Sequence, residues 1–218
     1  MRSIDFENIE QKFDEVLESE EWSRLQEDFS SSTDIYIIAN GGLWAVANHV
    51  AADCNRLFAK AGIKKSVETL DSQCLITSLA NDYGYNNLFL GWLEMKRKTG
   101  KMKDDAMIIA LSCSGGSKNV VSCCHWAEKY GYKTAMISGQ SRGVLSDGAN
   151  SVVLDCNYFH TVEVLTLILF YDMIHVSGAE CPSIREEIIR KGTAQPLARN
   201  PLGTADDFSM EKSKSPKQ

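Results

Sequence analysis

Residues 107–133, MIIALSCSGGSKNVVSCCHWAEKYGYK, pass from an apolar run through small hydroxyl residues and glycines into a helical pattern. A buried strand is expected at about 106–111 and a helix at about 118–130, closed by Gly131. Between them stand Ser112, Ser114, Gly115, Gly116 and Ser117. One capping serine would explain a helix start. Three serines with two glycines exceed that need. Glycines let the backbone approach a ligand, a helix N-terminus offers unpaired N–H groups, and serine hydroxyls add donors. Together they make a phosphate cradle that requires neither Lys nor Arg.

The flanking sequence repeats the strand-then-helix pattern. TDIYIIAN (33–40) reads as a buried parallel strand, followed by GGLWAVANHVAADCNRLFAKAG with apolar residues at helical spacing and Gly62 at its end. KKSVETL supplies another strand, and SLANDYGYNNLFLGWLEMKRKTG reads as a loop leading into a helix. KTAMISG (133–139) and SVVLDC (151–156) give two more strands, with a short helix around GVLSDGA between them; an apolar helix over about 160–177 comes last. Alternation of this kind implies a parallel sheet covered on both faces. Residues 1–28 form an N-terminal helical segment, with Ile4, Ile9, Phe13, Val16 and Leu17 on one face and a break near Ser19. The main α/β domain is expected over 29–191, and the Pro-, Gly- and Ser-rich segment 192–218 as a flexible tail.

Composition narrows the function classes. A net charge of −6 argues against a general nucleic-acid surface. Acidic residues interrupt the longest apolar segment, and the acidic start lacks the pattern of a signal peptide, so no membrane partner is expected and the location is expected to be cytoplasmic. Seven cysteines without a CxxC pair read as reduced thiols, mostly small apolar fillers. His125 and His175 read as satisfied core residues. Neither GxxxxGK[ST] nor GxGxxG occurs, which disfavours a nucleotide.

In an open parallel sheet, ligands sit beyond the carboxyl ends of the strands. NGG (40–42) and SCSGGS (112–117) both belong there. LSCSGGSKNVV resembles the phosphate loop of the sugar isomerase (SIS) domain family, and NGGLWAVANHVAAD with LANDYGY resembles its phosphoheptose isomerase branch, over roughly residues 33–178. The resemblance implies a flavodoxin-like three-layer sandwich with a five-stranded parallel sheet. It further implies a homotetramer with pockets between subunits, and conversion of sedoheptulose 7-phosphate to a heptose 7-phosphate for surface polysaccharide.

Carried onto this chain, the resemblance assigns Ser112, Cys113, Ser114 and Ser117 to the phosphate, and Asn40, Gly41, Gly42 and Asp82 to the sugar side of the site. His49 and Asp53 match a metal-binding His and a basic Glu one helical turn apart. The family's last helix carries Gln and, eight residues later, His; here Glu163 and Tyr171 stand at those positions, and a one-residue shift would give Val162 and Phe170. Leu43 replaces a serine usual after NGG. Isomerisation needs a base beside the carbonyl and an acid or metal on the oxygen. The resulting expectation is Asp53 as base, one divalent metal such as zinc on His49, Asp53 and Glu163, and Tyr171 as proton donor. The alternative is a catalytically silent SIS protein that binds a sugar phosphate or serves as a scaffold.

Overall fold

The computed structural model describes residues 9–143, 145–146 and 149–183. Chain contacts divide at Cys181–Pro182, and every element named below belongs to the first unit. The expected tail from 192 onward, and Ile4 at the other end, lie outside the described residues.

Helix α1 (Ile9–Leu17) stops where Ser19 caps a second helix, α2 (Glu20–Ser31). The Ser19 hydroxyl accepts the Trp22 N–H at 3.1 Å, and Glu20 and Glu21 complement the helix dipole. The break expected near Ser19 is therefore a cap. Strand β1 (Asp34–Ala39) leads into α3 (Gly41–Ala61), which ends at Gly62 in the left-handed conformation. There follow β2 (Ser66–Thr69), α4 (Gln73–Tyr83), a 3₁₀ turn (Tyr85–Asn87) and α5 (Leu88–Lys98). The chain then forms β3 (Met107–Ser112), α6 (Lys118–Lys129), β4 (Lys133–Ser138), β5 (Asn150–Val153) and α7 (Phe159–Val176).

All five strands are parallel, in the order β2-β1-β3-β4-β5. Strands β1 and β3 are buried along their whole length, as their unbroken apolar runs require. Residues of α1, α2, α3 and α7 pack on one face; residues of α4, α5 and α6 pack on the other. The result is the three-layer α/β sandwich expected from the sequence. Strand order reverses between β1 and β3, which sets the loops after them side by side.

The N-terminal helices belong to this packing. Trp22, Leu25 and Phe29 are buried, and the side chains of Trp22 and Gln26 donate to Asp172 of α7 at 3.3 and 2.7 Å. Helix α7 has the length and apolarity of a membrane span, yet it buries Val162, Leu165, Leu169, Phe170, Met173 and Ile174 against the sheet layer.

Three expectations need correction. Residues 78–83 are helical, because α4 starts at a Ser72 cap and seats Leu79 in the core. His125 and His175 are exposed rather than packed. The short helix expected around 143–149 falls partly on residues outside the description, and no described residue there is helical.

Candidate active site

Beyond the carboxyl ends of β1 and β3 lies a cavity of about 240 Å³, lined by Asn40, Gly41, Gly42, Ser112–Ser114, Ser117, Phe159 and Glu163, with Leu43 and Leu111 as its apolar wall. Two helices start at it. Asn40 is the N-cap of α3 and Ser117 that of α6, and neither makes a side-chain capping bond. The Asn40 amide instead exchanges hydrogen bonds with buried Asn119 at 2.9 Å each way and accepts from the Tyr85 hydroxyl at 2.9 Å. The Ser112 hydroxyl donates to that of Ser117 at 3.2 Å. First-turn N–H groups lack intrahelical partners, so two positive helix ends converge here with hydroxyls between them. That arrangement suits an anion chemically.

The serine loop is fixed by hydrogen bonds from the segment after β4. Gly139 N–H donates to Cys113 O, and the Ser141 hydroxyl donates to Ser114 O, both at 3.0 Å. Gly115 has φ +70°, and a Cβ there would strike the Ser141 carbonyl. Gly42 has a different reason: a Cβ on it would collide with the Glu163 carboxylate, which rests against the first turn of α3. Burial, then the Glu163 charge, push the Cys113 thiol up.

A second polar group lies further along the same helices. The Tyr171 hydroxyl donates to Asp53 Oδ2 at 2.7 Å and stands 3.3 Å from His49 Nε2. Arg56 donates to Asp53 Oδ1 at 2.9 Å. Burial alone would raise the Asp53 carboxyl, but hydrogen bonds from Tyr171 and Arg56, with the charges of Arg56 and His49, hold it below its ordinary value. Burial and the bond to Asp53 push the Tyr171 hydroxyl up to about 12, so it remains a donor at neutral pH. Helices α3 and α7 each follow a strand of the parallel sheet and pack together, so they run in the same direction. Gly42 meets Glu163 near their starts, and Asp53 meets Tyr171 further on. Eight residues separate Glu163 from Tyr171, about 12 Å of helix.

No family model matches the chain. A phosphoheptose isomerase of Leptospira biflexa is 32% identical over 123 residues, 55% of this chain and 60% of that protein. A probable phosphoheptose isomerase of Thermoplasma acidophilum is 30% identical over 135 residues, 60% of this chain and 69% of the relative. The chain belongs to the phosphoheptose isomerase family. It covers about three-fifths of the length of the Leptospira relative. Among solved structures, the phosphoheptose isomerase of Neisseria gonorrhoeae shares the fold with a TM-score of 0.65 at 20% identity, over 78% of this chain and 91% of that one.

For a phosphoheptose isomerase homologue, the site is assembled unevenly within one chain. The serine loop, Asn40, Gly41, Gly42 and Glu163 meet in one cavity. His49, Asp53 and Tyr171 form the separate cluster. Asp82 lies exposed on α4, bonded by Asn81, and does not line the cavity; Tyr85 from the same stretch reaches Asn40 instead. The expected metal set of His49, Asp53 and Glu163 is not brought together, because Glu163 sits at Gly42, one long helical step away. Among the described residues no group of three or more His, Cys, Asp or Glu side chains could hold a metal. Among the described residues of one chain these donors do not fit a zinc site.

Four functional contacts escaped the sequence reading. Arg56, three residues beyond Asp53 and thus on the same helical face, was legible from spacing. Phe159 reaches the site only through tertiary packing; Tyr85 and Asn119 lie within LANDYGY and LSCSGGSKNVV, but their contacts with Asn40 depend on how the loops meet.

Proposed function

We propose that the protein is a ketose–aldose isomerase of phosphosugars, converting sedoheptulose 7-phosphate to D-glycero-D-manno-heptose 7-phosphate for surface polysaccharide. The observation that carries this reading is the cavity at the sheet's switch point, where two helix N-termini and the hydroxyls of Ser112, Ser114 and Ser117 face a phosphate-sized space. The family names of the relatives supply the substrate class. Carboxylates that can move a proton stand at both positions described: Glu163 in the cavity and Asp53 in the cluster. Tyr171 is a ready donor beside Asp53.

The proposal extends to a homo-oligomer, a tetramer by family resemblance, acting in the cytoplasm. Its support is the exposed apolar side chains of α7 away from the cavity: Val164, Ile168 and Val176 are 56%, 45% and 53% exposed. Seven free cysteines suit a reducing compartment.

Two observations favour the silent-binder reading: both Asp53 oxygens are occupied by protein donors, and the expected metal donors are apart among the described residues. Incubating the purified protein with sedoheptulose 7-phosphate and following aldose formation separates the two. Turnover is the expected result. Saturable binding without turnover would establish the silent binder instead.

A further inference from the structure

We propose that Glu163 is the base that carries the substrate proton between carbons, an assignment that rests on the isomerase reading above. Four observations point to it. Among the described residues Glu163 is the one carboxylate lining the serine-loop cavity, and no Lys or Arg among them lines it. Its carboxylate rests on Gly42, which lacks the Cβ that would expel it. Among the described residues no side chain hydrogen-bonds to it, whereas Arg56 and Tyr171 hold both oxygens of Asp53.

Reach is the fourth. With its phosphate in the serine loop, an extended seven-carbon sugar places C2 and C1 roughly 9 and 10 Å from phosphorus, given bonds of about 1.5 Å in a zigzag. Gly42 and Asp53 are eleven residues apart on α3, about 16 Å of helix. Glu163 lines the same cavity as the serine loop, and Asp53 of the same chain does not.

An ionised carboxylate sharing a cavity with a phosphate dianion opposes binding in the ground state. As Glu163 takes up the proton its charge passes to the C2 oxygen of the enediolate. In the forward step the carboxylate removes a proton from C1 of the ketose. The C–H electron pair becomes the C1=C2 bond, and the carbonyl pair moves onto the C2 oxygen. Glu163 then returns the proton to C2 while the C1 hydroxyl proton passes to the C2 oxygen, leaving a C1 aldehyde. Atoms and electrons balance without an oxidant.

The family's usual residue at this position is glutamine, which makes Glu163→Gln a sharp test. Wild type, Glu163→Gln, Glu163→Asp and Asp53→Asn are assayed with sedoheptulose 7-phosphate for turnover, and by calorimetry for binding. The expected result for Glu163→Gln is a kcat lower by roughly 10²–10⁴-fold with affinity equal or tighter. Glu163→Asp keeps a measurable fraction of turnover, and Asp53→Asn loses less than Glu163→Gln. Turnover preserved or raised in Glu163→Gln, or equal loss in the Gln and Asp variants, overturns the assignment while leaving the isomerase reading intact. An inert wild type overturns the isomerase reading itself, and the assignment falls with it.

Discussion

Asp53 shows how much one side chain's neighbours decide. Its carboxylate accepts from Tyr171 at 2.7 Å and from Arg56 at 2.9 Å, which outweighs burial and depresses its proton affinity. A carboxyl held below its unfolded value, ordinarily 3.8, contributes stability that is present above that value. The contribution is lost as pH falls through the lower, folded value. Tyr171→Phe removes one donor and brings the folded value back towards the ordinary one. The variant's denaturation midpoint should therefore fall less steeply than wild type's as pH drops below about 4. Identical pH slopes would show that the Tyr171 bond contributes nothing. At this scale the sequence was partly legible. The four-residue spacing of His49 and Asp53 put them on one face, and they do meet at 3.3 Å. Their link to Tyr171 depends on where α7 lies, which spacing does not encode.

Strands and helices were legible wherever a local pattern determines them. The apolar runs of β1 and β3, the Ser19 break and the left-handed Gly62 stand where expected. Helix α4 was not legible, because Asn81, Asp82 and Gly84 are turn formers and only Leu79 is fully buried. Its Ser72 cap and its packing on the sheet override local preference. The serine loop was legible because all its donors are contiguous in sequence. The meeting of Gly42 with Glu163 was not, since it is set by the side-by-side register of α3 and α7. Two glycines of the loop give a controlled comparison. Gly115 has φ +70° and faces the Ser141 carbonyl, whereas a Cβ on Gly116 would find its nearest neighbour at 3.8 Å. Left-handed backbone costs a residue with a Cβ roughly 1–2 kcal/mol, and the clash adds to it. Gly115→Ala should lower the thermal midpoint by several degrees and Gly116→Ala by much less. Equal midpoints would contradict the packing described here.

Across the whole molecule, the parallel order β2-β1-β3-β4-β5 does one thing that no single element does. It turns the loops after β1 and β3 towards each other, so Asn40 and Ser117 bring two helix starts to one cavity. The same topology sends α3 and α7 back across one face together, separating Glu163 from the Asp53 cluster by a stretch of helix. The central claim is that this cavity holds the phosphate of a phosphosugar. Calorimetric titration of wild type and Ser114→Ala/Ser117→Ala with sedoheptulose 7-phosphate tests it most directly. Hydrogen bonds to a charged acceptor are worth about 1.5–3 kcal/mol each, so the double variant should bind at least tenfold more weakly than a saturable wild type. Equal affinity in the two proteins would contradict the account.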